Sequence, residues 1–367
     1  MTITSPHLVK FLKPMQYVYG NFSELSASAI SRWSPPPSPD GHRGRYLWTD
    51  AFGVCNFLTL YKRTQDQNYL ILAERLITNV HDILGYTRDG KSRLPGATDD
   101  KPLGGGLRIG KIEESGSDGD VQYYHYLTMW MFALNRMAVV SGKNQFNDLA
   151  VQLVKAVHPR FVQAREAARP RMVWKMSIDL QKVLVPREGS LDSVQGYVVY
   201  RLIQNASSDP ENTLVEEIDD LRRVFHGKYD HYRSLDALDL GMAVWTAHWF
   251  AQGKTKEKWA VNIRDRALQC LDALFTEDFF DSALNPPRHR LAFREFGAAM
   301  GLRCLDPETQ TSEDEKKIYE MWDFRASIIT ADWEKQGILD RMSSDSMGHT
   351  AITSVMFCSA LDPGGEH

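Results

Sequence analysis

Cysteine is scarce in this chain. Cys55, Cys270, Cys304 and Cys358 stand far apart among 367 residues, each inside an apolar stretch, and no CxxC pair occurs. A disulfide framework and a cysteine zinc site are therefore excluded, and four buried free thiols in a reducing, cytoplasmic setting are expected. No His or Cys falls at ligand spacing elsewhere, so neither a metal nor a cofactor is expected. Charge of one sign is also missing: 43 Lys and Arg face 47 Asp and Glu, a net charge of −4. That balance gives no footprint for a nucleic-acid partner. No apolar run reaches the roughly 18–20 residues of a membrane span. The opening "MTITSPHLVKFLKPMQ" lacks a long apolar stretch followed by a small-residue cleavage site, so no signal peptide is expected. Long runs of alternating Val, Ile and Thr are absent, which argues against a sheet-based fold.

What is present is helical periodicity. From Tyr69, apolar residues recur at Leu72, Ala73, Leu76, Val80 and Ile83, with charges on the opposite face. Residues 149–161, 214–225 and 259–275 repeat that pattern, as surface helices do. Other segments are apolar on all sides. Asp50 heads a charge-free run to Tyr61, and Asp120 heads "VQYYHYLTMWMFALN". Asp192 precedes "SVQGYVVY", Asp239 precedes "LGMAVWTAHWFAQG", Glu295 precedes "FGAAMGL", and Asp345 precedes "SMGHTAITSVMFCSAL". A helix apolar all round is buried all round. Buried and amphipathic helices thus alternate, and "NFSELSASAISRW" is read as one further outer helix.

This alternation predicts an all-α fold, an (α/α)6 toroid of six inner helices ringed by six outer ones. The segments "RMVWKMSIDL" and "KVLVP" predict a short β-hairpin at its rim. An α-solenoid is the rival, but no repeat of its period is visible. The expected organisation is a single domain: residues 1–44 form an N-terminal helix and a Pro-rich linker ("SPPPSPDG") packed on the ring, and 45–367 form the toroid. Helices connected as hairpins in series would make all inner helices parallel and gather their N-termini at one rim, with unpaired amides and positive dipole ends.

The loops before the inner helices carry the chemistry-capable residues. Candidate catalytic groups are Asp50, Asp120, His125, Asp179 and His349. Candidate substrate-binding groups are Trp48, Tyr124, Arg108, Trp174, Lys175, His231, Arg290, Arg294 and Glu295. A carboxylate beside aromatic faces, such as Asp50 beside Trp48, can have its pKa raised toward general-acid duty. An Asp at a helix start is also the ordinary N-cap, the plain reading for Asp192 and Asp236. "DGD" at 118–120 is not a calcium loop, because the twelfth position is Met129. "GGGLRIGK" at 104–111 lacks the P-loop spacing, since Ile112 follows Lys111. It is read as a rim loop bringing Arg108 and Lys111 toward the site.

The layout and the "WTD" of Trp48 to Asp50 resemble the six-hairpin glycosidase superfamily. Within it, unsaturated glucuronyl hydrolases carry a Trp-x-Asp element at the head of an inner helix. The resemblance implies that Asp50 acts as general acid and base in hydrating an unsaturated sugar. The general plan is also similar to the sugar 2-epimerases, which implies histidines, here His125, His231 or His349, working beside a carbonyl.

The leading expectation is an enzyme acting on a sugar-like, in part anionic, small molecule by carboxylate hydrolysis or hydration. Asp50 with Asp120, or Asp50 with Asp179, would supply the pair, while aromatic rings stack on the sugar and Lys175 and Arg294 hold an anionic group. The alternatives are a histidine-based isomerase, epimerase or lyase, chemistry on a non-sugar metabolite such as a terpenoid, and an inactive toroid used for binding. A small molecule is the expected partner, without membrane or nucleic acid, and the sequence leaves a homo-oligomer open.

Overall fold

The computed structural model describes residues 6–116, 118–253, 255–306, 312–338 and 350–366. Among the described residues the chain is built of α-helices, with strands of two or three residues between some of them. It divides into two compact units, one of residues 19–226 and one of residues 1–18 with 227–367.

In the first unit, a four-residue helix α2 (Ala27–Ile30) precedes the long helices α3 (Leu47–Thr64), α4 (Asn68–Leu84), α5 (Tyr124–Ser141), α6 (Gln145–Phe161), α7 (Asp192–Asn205) and α8 (Val215–Phe225). Helix α3 is buried without interruption from Leu47 to Leu60. Helix α4 buries only Tyr69, Leu72, Ala73, Leu76, Ile77, Val80 and Leu84, the stripe its periodicity predicts. Helix α5, buried from Leu127 to Ala138, packs on both α3 and α7, and each buried helix packs on the amphipathic helix that follows it. Ends follow local chemistry. Helix α3 stops with Gln65 in the left-handed region and Lys62 and Arg63 at the negative end of the dipole. Helix α5 stops at Gly142, whose φ of +71° suits glycine.

The second unit repeats the alternation: α1 (Pro6–Tyr19, but for its last residue), α9 (Ala237–Ala251), α10 (Lys258–Thr276), α11 (Ala292–Arg303), α12 (Glu313–Lys335) and α13 (Thr350–Leu361). Buried α11 packs on α9 and α13, and α10 and α12 cover them. Asp236 caps α9, accepting from the amides of Leu238 and Asp239 at 2.9 and 3.2 Å. Helices α9 and α11 touch backbone to backbone. A side-chain carbon at Gly241 would overlap the carbonyl of Gly297, and one at Gly301 would overlap that of Gly241.

One expected helix moves. Residues 21–33 form only a 3-10 turn (Phe22–Glu24) and α2, and the first long helix is α1. Its apolar Phe11, Met15, Val18 and Tyr19 recur at helical spacing and are buried. Ser26 instead accepts from the Ala29 amide in capping α2, and Ser31 donates to the Ser28 carbonyl, which competes with a longer helix. Three of the cysteines are buried, while Cys270 is half-buried; all four are free.

The expected hairpin is present. Strand β4 (Lys175–Met176) pairs antiparallel with β5 (Val183–Val185) and also with β1 (Gln122–Tyr123), which runs directly into α5. A second pair joins β2 (Val162–Gln163) to β3 (Arg171–Met172).

Candidate active site

The β1–β4 pairing sets the geometry of the most chemically equipped cluster in the first unit. Its register places Tyr123 opposite Lys175, and the ammonium lies 4.3 Å from the Tyr123 ring centre and 5.1 Å from that of Trp174. The amide of Tyr124 donates to the carbonyl of Trp174 at 3.2 Å, tying the hairpin to the first turn of α5. That turn carries His125. The Trp174 indole N–H donates to His125 Nδ1 at 3.2 Å. Trp48, from the first turn of α3, meets the imidazole edge-on at 5.7 Å, and Tyr126 does so at 4.6 Å. Tyr123 stacks on Trp174 at 5.6 Å, and Tyr46 bonds Tyr126 through the phenol oxygens.

His125 keeps 24% of its side chain exposed. Loss of hydration and the Lys175 ammonium push its pKa down, to about 3, so the ring is neutral at neutral pH. Asp192, the first residue of α7, accepts from the amide of Gly189 and holds Oδ1 3.9 Å from His125 Nδ1. Trp48 is only 5% exposed, and its indole Nε1 has no hydrogen-bond partner. A buried donor left without an acceptor is uncommon and costs about 1–3 kcal/mol.

The other candidates in this unit have different surroundings. Asp50 is buried in the first turn of α3. Its carboxylate accepts from Arg45 Nη1 and the Tyr19 hydroxyl, both at 3.2 Å, and from the Tyr46 amide at 3.3 Å. It thus caps α3 from inside the helix. Burial raises its pKa, opposed by Arg45, Tyr19 and the Tyr46 amide. Asp120 accepts from Arg88 and Arg108 on one oxygen, at 2.7 and 2.8 Å, and from the amides of Gly110 and Lys111 on the other, at 2.8 and 3.2 Å. Arg108 is fully buried and also donates to the carbonyls of Tyr86 and Ile83. This knot closes the long loop between α4 and α5. Tyr124 is fully buried, its hydroxyl on that of Tyr200. Asp179 is exposed in the β4–β5 turn, where it accepts from the Ser177 hydroxyl and the Gln181 amide.

The remaining candidates lie in the second unit. Arg290 and Glu295 form a buried pair; Arg290 also donates to Asp332 and Ser282, and Glu295 accepts from the Trp333 indole at 2.8 Å. Burial raises the Glu295 pKa, with Arg290 opposing. Arg294 pairs with Asp236, and His231 is exposed in the stretch before α9. Asp345 and His349 fall outside the described residues.

The cluster therefore joins His125, Trp48, Trp174 and Lys175 from the expected set. It adds Tyr46, Tyr123, Tyr126 and Asp192. The "YYHY" run was the available signal for the tyrosines; Asp192 looked like any helix-starting Asp. Among the described residues no group of three or more His, Cys, Asp and Glu could hold a metal ion. No described helix is long and apolar enough to cross a membrane.

No family model and no curated protein matches the sequence. A solved structure does: cellobiose 2-epimerase from Spirochaeta thermophila DSM 6192, with a TM-score of 0.54 over 99% of each chain at 12% identity. The likeness shows the fold, an (α/α)6 toroid. In a toroid of this kind, buried inner helices alternate with amphipathic outer ones, the alternation seen in α3 to α8 and in α9 to α13. His125, Trp48 and Asp192 all sit in the first turn of such buried helices.

Proposed function

We propose that this protein is an enzyme acting on a sugar-like small molecule, and that it moves a proton at a carbon beside a carbonyl, as an isomerase or epimerase does. The observation that carries this reading is the surroundings of His125. Of the expected catalytic residues in the described part of the first unit, it alone has an open ring nitrogen within a wall of aromatic rings, able to bond the carbonyl oxygen of such a substrate. The half-buried rings of Tyr126 and Trp174 suit the apolar face of a pyranose, with the buried Trp48 and Tyr123 packed against them. The Lys175 ammonium lies beside them and suits an oxygen-rich or anionic substituent.

The carboxylate reading has less support. Hydrolysis needs one carboxyl to give up a proton and another to attack or to activate water. Asp50 and Asp120 are each buried against an arginine and against backbone amides, and Asp179 is held in a surface turn. The likeness to a cellobiose 2-epimerase favours the same choice.

The test is incubation of the protein with reducing mono- and disaccharides in D2O. Deuterium appearing at the carbon next to the carbonyl, read by proton NMR, supports the reading, provided that it is lost in His125→Phe of unchanged melting temperature. Release of aglycone from aryl glycosides or turnover of unsaturated uronides, without exchange into reducing sugars, returns the choice to hydrolysis or hydration.

A further inference from the structure

We propose that His125 acts on the substrate as a neutral hydrogen-bond donor through Nε2–H, stabilising an oxygen that gains negative charge, and not as the base that removes a proton. The inference deepens the proton-transfer reading and rests on it for the identity of that oxygen.

The argument begins with Trp174. An indole N–H can only donate, so the bond to His125 Nδ1 requires a lone pair there. The single proton of the neutral ring then sits on Nε2. That nitrogen has no partner among the described residues, and it is not among the buried polar atoms that lack one, so it stays open. A ring held this way offers a donor where a base would need a lone pair.

The groups facing His125 favour the neutral form. Lys175, from β4, repels an imidazolium. Asp192, from α7, acts in the opposite sense but at 3.9 Å, with the Gly189 amide on its carboxylate. From α3 comes only the uncharged Trp48, because Asp50 turns to Arg45 and Tyr19. Tyr123 and Tyr126 flank the ring on its own segment, and burial raises the phenol pKa of Tyr126, so it stays protonated. Tyr46, bonded to Tyr126, is likewise kept protonated by burial.

A second, independent observation calls for an acceptor here. Trp48 packs on His125 and carries a buried indole N–H with no partner. A substrate oxygen between the two rings would satisfy Trp48 Nε1–H and His125 Nε2–H together. Donors fixed in a water-poor aromatic pocket need no reorganisation as charge develops, and each is worth more there than in water. The Nε2 proton stays on nitrogen throughout; the proton that leaves the carbon passes to a general base other than His125, and its return to the carbon discharges the oxygen.

The decisive experiment needs no substrate. In 15N-labelled protein, long-range proton–nitrogen correlation of the imidazoles, with His125 assigned by its loss in His125→Gln, reports which nitrogen is protonated. The expected result is Nε2–H with an unprotonated Nδ1, unchanged from about pH 5.5 to 8.5. In Trp174→Phe, Nδ1 loses its donor and the tautomers mix. An Nδ1–H ring, or one titrating within that range, overturns the proposal whatever the protein acts on. On any sugar that shows exchange in D2O, His125→Gln, which keeps an N–H donor, should retain at least about tenfold more kcat than His125→Phe, with similar KM. Equal loss in both overturns the donor role. Absence of exchange with every sugar instead overturns the function reading and leaves the tautomer result to decide the state of the ring.

Discussion

The indole N–H of Trp174 donates to Nδ1 of His125 across 3.2 Å and 49 residues of sequence. The contact exists because β4 pairs with β1, and β1 leads straight into α5. A short hairpin thereby sets the protonation pattern of a helix residue.

The hairpin's position depends on Gln122. Its side chain accepts from the Leu107 amide at 3.1 Å and donates to the carbonyls of Gly105 and Ile178 at 2.9 and 2.7 Å. Gln122→Ala strands these backbone groups and should destabilise the protein by about 2 kcal/mol or more. It should also lower turnover without altering any ring of the cluster. Urea denaturation and the D2O exchange rate check the two effects.

Arg45 and Asp50 are a buried pair, each almost without exposure. Asp50→Ala leaves the guanidinium unpaired and should cost about 3–5 kcal/mol. The double variant Asp50→Leu with Arg45→Met should lose clearly less than the sum of the single changes, because neither charge is then buried alone. A double-mutant cycle by chemical denaturation measures this. Additive losses would mean that the pair is not coupled.

Asp120 neutralises Arg88 and Arg108 and takes two loop amides. Asp120→Ala should release residues 85–121 before the helices melt, since their packing does not involve this carboxylate. Limited proteolysis should then cut within that loop at native temperature, where wild type resists.

Gly241→Val places side-chain carbons against the Gly297 carbonyl where α9 and α11 touch. The helices would have to separate, at a cost of about 3 kcal/mol. A normal melting temperature in this variant would contradict the close crossing.

His81 accepts from the Trp130 indole at 3.0 Å, and burial lowers its pKa to about 3. The unfolded chain binds this proton near pH 6.5, so the unfolded state takes it up first. The stabilisation is complete above about pH 6.5 and is lost as pH falls toward 3. The slope is at most about 1.4 kcal/mol per pH unit, reduced by the water that still reaches the ring. Urea midpoints between pH 7 and 4 should fall less steeply in His81→Gln than in wild type.

Much of the fold was legible because burial leaves a one-dimensional trace. A helix enclosed on every side excludes charge along its whole length, as in 51–61 and 121–135, and one that faces solvent on one side alternates with period 3.6, as from Tyr69 to Leu84. Residues 21–33 misled because their apolar spacing resembles a helix, while the competing bonds made by the serines are local and leave no periodic mark.

The site was less legible. Asp50, Asp120, Arg108, Arg290 and Glu295 have the residue types of chemistry, yet each is enclosed by partners that sequence spacing cannot reveal: Tyr19 for Asp50, Arg88 for Asp120, Trp333 for Glu295. A carboxylate's availability depends on how many donors converge on it, and for each of these carboxylates at least one donor comes from a segment 10 to 40 residues away. The sequence by itself determined which segments become buried helices and that aromatic rings and a histidine stand at the head of one of them. Only the tertiary structure decided that Trp174 reaches His125 and that Trp48 is left with an unmet donor, because hydrogen-bond pairing is settled by distances of a few tenths of an ångström between elements, and sequence sets no such distance.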